Sequence, residues 1–232
     1  MARRAVKVVL TREAGENASL ASWVPDGCDV LEVPLTTTRY LGDDEVASEL
    51  RASAFYGSFN ALVVTSARAV RYVNVANGAL AKGAEVFSVG PATTASLYER
   101  GVEVTAQAAG RAVDLTRQVL RGPVLVLGAA AMREELADAL LARGLDVVKV
   151  TCYETVPVVP DEAAASALRE AQVVFVGAPS AWAVARDFVS RDAWVVVPGA
   201  TTAASVRAEH ERVLEGWGPS LRERLASLVT PS

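Results

Sequence analysis

Short apolar runs in this chain end repeatedly in small and hydroxylated residues. Six such turns stand out: Thr11-Arg12, Thr65-Ser66-Ala67, Gly90-Pro91-Ala92-Thr93-Thr94, residues 128–133 from Gly128 to Arg133, Gly177-Ala178-Pro179-Ser180, and Pro198-Gly199-Ala200-Thr201-Thr202. Residues without bulk let backbone amides come close to a bound group, and Ser and Thr add hydroxyl donors. None of the six contains an acidic side chain, whereas Arg12 and Arg133 bring positive charge. An anion suits such turns best, because helix N-termini beyond parallel strands already present unpaired N–H groups. A rival reading stays open at each turn. Ser and Thr at helix starts serve as caps worth about 0.5–2 kcal/mol, and Arg12 and Arg133 could pair with their neighbours Glu13 and Glu134. Six turns, three in each half of the fold, favour a shared anion site in a cleft over six unrelated caps.

Other chemistry is poorly provided for. The chain has one histidine, His210, and two cysteines, Cys28 and Cys152, too few for a zinc site, a histidine base or a disulfide framework. No phosphate-binding P-loop, dinucleotide fingerprint or nucleophile elbow is present. Asp43-Asp44 precede a helical stretch at 45–54 and read as its N-terminal cap, and Cys152 reads as a packed thiol. Tyr153 draws attention only because it lies in an extended stretch that should line the cleft; a lone tyrosine is more often a packing residue. With 27 acidic against 23 basic side chains the net charge is −4, which argues against nucleic acid as the main partner. The start MARRAVKVVLTRE has too short an apolar core for a secretory signal, and no run approaches a membrane span. The expected location is therefore the cytoplasm, with no membrane partner.

The elements that would position these turns follow from periodicity. Apolar, β-branched runs at 6–10, 29–33, 61–65, 85–89, 124–127, 146–150, 173–176 and 194–197 predict strands, several of them apolar on both faces, as in a parallel sheet covered by helices. Between them lie alanine-rich helical stretches, for example 134–143 with Gly144 at the capping position. The fold class expected is α/β, with two similar doubly wound parallel-sheet domains joined by two extended connectors. An internal repeat supports two lobes: Ala92-Thr93-Thr94-Ala95 and Ala200-Thr201-Thr202-Ala203 each follow a strand, and the strand–turn–helix units before them also correspond. Proline-punctuated stretches at 34–38 and 153–160 mark the crossings. The domains expected are 1–35 plus 157–232, and 38–152, with connectors at 36–37 and 153–156.

The ordered set of motifs resembles the uroporphyrinogen-III synthase family. Its members open with a strand ending in Thr-Arg, here Val8-Val9-Leu10-Thr11-Arg12. A strand-Thr-Ser-x-x-Ala-Val unit follows, here Val63-Val64-Thr65-Ser66-Ala67-Arg68-Ala69-Val70. Next come a Val-Gly-Pro-x-Thr unit at 89–93, Gly128 with Arg133 and Leu136, the connector Tyr153-Glu154-Thr155, a turn at Pro179-Ser180, and a second Gly-x-Thr-Thr-Ala turn. Three positions depart from the pattern: Ala178 replaces a serine, Pro198-Gly199 inverts the usual order, and alanines fill 129–131. The resemblance implies an enzyme without cofactor or metal, acting as a monomer on hydroxymethylbilane, a linear tetrapyrrole rich in carboxylates. It would close this substrate to uroporphyrinogen III with inversion of ring D and loss of water. By that resemblance Tyr153 is the candidate proton donor, with water as its rival. The implied substrate contacts are Thr11, Arg12, Thr65, Ser66, Ala67, Gly90, Thr93, Gly128, Arg133, Pro179, Ser180, Thr201 and Thr202. The alternative is a two-lobed module that binds an anionic ligand without catalysis. A regulator linked to methyl transfer ranks behind both, since no glycine-rich cofactor loop is present.

Overall fold

The computed structural model describes residues 5–108 and 111–229. Residues 1–4 and 230–232, counted above within the first domain, lie outside them. The chain divides into two compact units, one formed by the residues up to Thr38 with those from Val156 onward, the other by Arg39–Thr155.

The first unit holds a five-stranded sheet in the order β11-β10-β9-β1-β2. Its strands are β1 (Lys7–Leu10), β2 (Asp29–Glu32), β9 (Val173–Phe175), β10 (Trp194–Val197) and β11 (Val213–Glu215). All of their pairings are parallel. Helices α1 (Ala18–Ala21), α6 (Glu162–Glu170), α7 (Pro179–Ala185), α8 (Ala200–Arg207) and α9 (Pro219–Val229) belong to this unit. The apolar runs are explained by two cores, one on each face. Val9, Val174, Val195 and Val197 enter one core, while Val8, Leu10, Val173, Phe175 and Val196 enter the other. Successive side chains on a strand point to opposite faces, so a strand buried on both sides needs an unbroken apolar run.

The second unit is built on the same logic. Its sheet has the order β3-β8-β7-β4-β5-β6. The strands are β3 (Thr36–Tyr40), β4 (Phe59–Val64), β5 (Leu80–Val89), β6 (Ala106–Ala108), β7 (Val124–Ala129) and β8 (Val147–Pro157). The pairings joining β8, β7, β4, β5 and β6 are parallel. Leu62, Val64, Leu125 and Leu127 face one core, and Ala61, Val63, Val124 and Val126 the other. Helices α2 (Asp43–Ala52), α3 (Val73–Ala76), α4 (Pro91–Glu99) and α5 (Glu135–Leu141) cover the sheet, with a 3₁₀ helix at Ala67–Tyr72. The Ala-Thr-Thr-Ala repeat falls in α4 and in α8. Each helix links the last two of three consecutive sheet neighbours, β4-β5-β6 and β9-β10-β11.

Several elements differ from the sequence expectation. Both stretches expected to be plain connectors are strands: β3 takes in 36–37, and β8 continues from Val147 through 153–156 to Pro157. The amide of Leu41 donates to Cys152 O and that of Val158 to Leu35 O, so backbone pairing holds these segments extended. Asp43 and Asp44 are not the cap of α2. Gly42 is, and both carboxylates sit in the first helical turn, where they complement the dipole. Gly144 does end its helix with a positive φ of 77°, its amide bonded to Leu141 O at 2.8 Å. Among the described residues no helix is long and apolar enough to cross a membrane.

Cys152 is fully buried on β8, and burial pushes its thiol up to about 12 from an ordinary value of 9.0. The unfolded thiol loses its proton from about pH 9 while the folded one keeps it, so the unfolded state binds fewer protons and stability falls as pH rises. Urea unfolding near pH 8 and pH 10 should show the wild type losing about 1 kcal/mol more across that interval than Cys152→Ala. Parallel losses in both proteins would place the effect elsewhere.

Candidate functional site

At the carboxyl end of the larger sheet, β7, β4 and β5 stop beside one another while β8 runs on past them. Thr65 follows β4 and uses both its donors on one acceptor: its amide reaches Leu127 O at 3.1 Å and its Oγ1 reaches the same oxygen at 3.0 Å. That double bond ties the end of β4 to β7. Ser66 is extended and accepts from the Arg68 amide at 3.2 Å, capping the 3₁₀ helix, so its hydroxyl plays the structural part for at least this bond. Gly128 lies against this turn. A Cβ there would overlap Thr65 Oγ1 and stand 2.6 Å from Met132 Sδ, which is why only glycine fits. Gly90, with φ of 81°, turns the chain into α4, whose first residue is Pro91; Thr93 is buried behind it. On β8 the carbonyl of Tyr153 accepts from the Ala130 amide at 2.8 Å, holding the 128–133 stretch against the strand.

A cavity of about 280 Å³ opens here, lined among others by Thr65, Met132, Arg133, Lys149, Arg111 and Tyr153. Tyr153 is only 6% exposed, yet it borders this space. Tyr40 lies 6.2 Å from its ring, and the Arg68 guanidinium lies 6.0 Å from its ring centroid. Three cations against one acid, Glu135, give the lining a positive balance. Lys149 is partly neutralised by Glu134 at 2.5 Å and Arg111 by Glu135 at 3.4 Å. Arg133 is exposed and forms no ion pair among the described residues. A second, more open cavity of about 500 Å³ is lined by Ala67, Arg68, Arg71 and Arg100, with Asp43 and Glu99 opposing them. Arg71 sits over the rings of Tyr40 and Tyr72, at 4.8 and 5.2 Å, which fixes its charge in place.

The smaller sheet ends in a comparable way. Thr11 follows β1, and its amide and Oγ1 both donate to Phe175 O on β9, at 3.2 and 2.7 Å. Thr11 is fully buried, so its hydroxyl supports the turn and cannot be offered to a ligand. Arg12 is half-buried and paired with Glu16 at 2.8 Å. Glu13 accepts from the amide and hydroxyl of Thr38, at 2.8 and 2.7 Å. Ala178 caps α7 without a side-chain bond, and Pro179 and Ser180 in its first turn are exposed. Gly199 caps α8 in extended backbone; Thr201 is exposed while Thr202 is buried.

Within the second unit the structure therefore gathers Thr65, Gly128, Arg133 and Tyr153 around one cavity, with Ser66 and Ala67 on the adjoining turn. In the first unit it brings Arg12 against the turn at Gly177, whose added Cβ would stand 3.5 Å from Arg12 Cγ. Thr11, Thr93 and Thr202 are buried and serve the turns from beneath. Lys149, Arg111, Arg71 and Arg100 were not marked by sequence, although Lys149 had a signal: a lone cation within the apolar strand Val147-Val148-Lys149-Val150. Among the described residues no group of three or more His, Cys, Asp or Glu could hold a metal ion.

Gly128→Ala should lower the unfolding free energy by about 1–3 kcal/mol, since Thr65 Oγ1 is pinned by Leu127 O and cannot yield freely. In Thr65→Ala the same change should cost measurably less, a coupling that a double-mutant cycle by urea unfolding would register. Strict additivity would mean that the two side chains do not compete for that space.

Residues 25–214 match the family described as Uroporphyrinogen-III synthase HemD. Among solved structures the chain is similar to a uroporphyrinogen-III synthetase from Helicobacter pylori, with a TM-score of 0.64 and 16% identity over 97% of this chain and 100% of that one. It is likewise similar to a mutant uroporphyrinogen III synthase from the extremely thermophilic bacterium Thermus thermophilus, with a TM-score of 0.62 and 16% identity over 97% of each chain. At such identity the likeness to solved structures establishes a shared α/β fold with largely parallel sheets. No curated protein sequence matches the chain.

Proposed function

The chain belongs to the uroporphyrinogen-III synthase family, an enzyme family of haem biosynthesis, and from that premise we propose how its own residues would carry the reaction. The substrate is hydroxymethylbilane, and the product is uroporphyrinogen III, with ring D inverted and one water lost. The observation that carries this reading is the cavity where Tyr153 meets Arg133 and Thr65 beside a cluster of arginines. A linear tetrapyrrole bearing carboxylates needs cations and amides to hold it, and the three cations of this lining outnumber its one acid, Glu135.

The chemistry divides into departure and closure. The Tyr153 hydroxyl gives its proton to the hydroxyl leaving ring A, the C–O bond breaks, and water departs, leaving an azafulvenium cation. Arg68, close to the ring of Tyr153, stabilises the phenolate while it lasts. The substituted carbon of ring D then attacks the exposed methylene to give a spiro intermediate. Its older ring C to ring D bond breaks, and ring D recloses through its other free carbon. The proton released as aromaticity returns restores the Tyr153 hydroxyl, so nothing is consumed. Holding the two chain ends in register is the larger service, because ring closure without guidance joins them the simpler way.

The substrate contacts we propose are Arg12, Thr65, Ser66, Ala67, Gly90, Gly128, Arg133, Pro179, Ser180 and Thr201, with Thr11, Thr93 and Thr202 shaping their turns. We read the two compact units as the two domains, with 36–37 and 153–156 as the crossings; the compact division after Thr38 and after Thr155 supports this. We also read the protein as a cytoplasmic monomer, in keeping with a set of contacts that one chain supplies entirely.

Purified protein given fresh hydroxymethylbilane should yield isomer III in excess over the spontaneous isomer I, read by separating the oxidised porphyrins. Tight binding without any shift in isomer ratio would instead make this a binding module. Tyr153→Phe should lower kcat about 100-fold with KM little changed, as expected for a lost proton donor; wild-type turnover would leave water as the donor. Arg133→Glu should raise KM about tenfold while the melting temperature holds, since it sets an anion against the substrate's carboxylates. An unchanged KM would make Arg133 a bystander.

A further inference from the structure

The first unit has a strand-end turn beyond the six prominent in the sequence. After β11 the chain reads Gly216-Trp217-Gly218 before entering α9. Both glycines have positive φ, 98° and 156°, which side-chain-bearing residues rarely adopt, so the turn depends on glycine on either side of Trp217. The turn is tied down from two sides: the Gly216 amide donates to Val197 O at 2.9 Å, and Arg224 Nη1 donates to Glu215 O at 2.9 Å. Trp217 thus sits on a rigid mount. Its ring is tilted against Trp23 at a centroid distance of 6.4 Å.

Trp217 reaches past β10 to the turns after β9 and β1. A Cβ on Gly177 would stand 3.5 Å from Trp217 Cη2 and equally from Arg12 Cγ, so the glycine backbone fits between indole and arginine stem. The Arg12 guanidinium lies over the indole, 5.9 Å from the ring centroid. Its edge is occupied only in part, by Glu16 at 2.8 Å, and a guanidinium has five N–H donors. The indole Nε1 is buried with no hydrogen-bond partner among the described residues. The indole packs with Trp23 against the core cluster of Leu10, Phe175 and Leu221, and the Arg12 guanidinium lies over its ring.

We propose that Trp217 is a substrate-positioning residue, holding the Arg12 guanidinium ready for a carboxylate of the polyanionic tetrapyrrole. This rests on the proposed function and adds to it a residue that acts through Arg12. An arginine side chain loses considerable rotamer freedom when it clamps an anion; the indole face removes part of that loss beforehand, and a cation over tryptophan gains more than over phenylalanine.

The test is steady-state kinetics with hydroxymethylbilane, scoring isomer III, on Trp217→Phe and Trp217→Leu in the wild-type and Arg12→Gln chains. Trp217→Phe keeps a smaller face and should raise KM about threefold; Trp217→Leu, without one, about tenfold, with kcat within about twofold in both. In the Arg12→Gln chain neither change should move KM further. If Trp217→Leu fails to fold, as a lowered melting temperature would reveal, the Trp217→Phe pair decides alone. Wild-type KM in Trp217→Phe, or a rise that persists with Arg12→Gln, overturns the proposal. A wild type that makes no excess of isomer III would overturn the function itself, an outcome visible before any variant is compared.

Discussion

Each sheet is closed at its carboxyl end by a threonine that spends amide and hydroxyl together on one carbonyl of the next strand. In one unit Thr65 binds Leu127 O, and in the other Thr11 binds Phe175 O. A parallel ladder loses its regular partners where a strand stops, and unpaired backbone groups in a buried place cost free energy. By occupying one carbonyl of the neighbouring strand twice, the threonine lets its own strand end abruptly. The loops beyond then begin from a fixed point. Everything the site needs follows from that: Gly128 can pass close to Thr65, Ser66 can cap the next helix turn, and Tyr153 can hold the opposing loop through its carbonyl.

The distribution of charge complements this frame. Arginines around the larger sheet's end are held by aromatic faces, Arg71 by Tyr40 and Tyr72 and Arg68 near Tyr153. Stacking leaves the edge of a guanidinium available for hydrogen bonds, whereas a bidentate carboxylate would occupy it. A stacked arginine keeps N–H donors at its edge even in a protein whose net charge is −4. Local arrangement decides this, and the overall balance does not.

How much of this could be read from the chain varies with the physics involved. The strands buried on both faces were legible because burial leaves continuous runs such as Val124-Leu125-Val126-Leu127. The strands β6 and β11 were not, since Ala106-Gln107-Ala108 and Val213-Leu214-Glu215 lack the unbroken apolar run that marks the equally short β9. Nor was the length of β8, where Glu154 and Thr155 interrupt the apolar pattern yet the backbone stays paired. The six turns were legible from their small residues. Which of their hydroxyls are already spent was not, because Thr11 and Thr65 find their acceptors 164 and 62 residues away. Lys149, Arg71 and Trp217 reach their places through sheet order and helix packing, which no local spacing records.

The two-core construction has a historical corollary. A strand whose alternate residues feed two separate interiors asks of each position only that it be apolar and of suitable bulk, a demand that many combinations of Val, Leu, Ile and Phe satisfy. Drift can then exchange nearly every letter of a strand while its path persists. A chain that keeps its shape against bacterial relatives at 16% identity is what such permissive interiors would leave behind. Selection would bear hardest instead on the few places where a single atom too many would jam the strand ends.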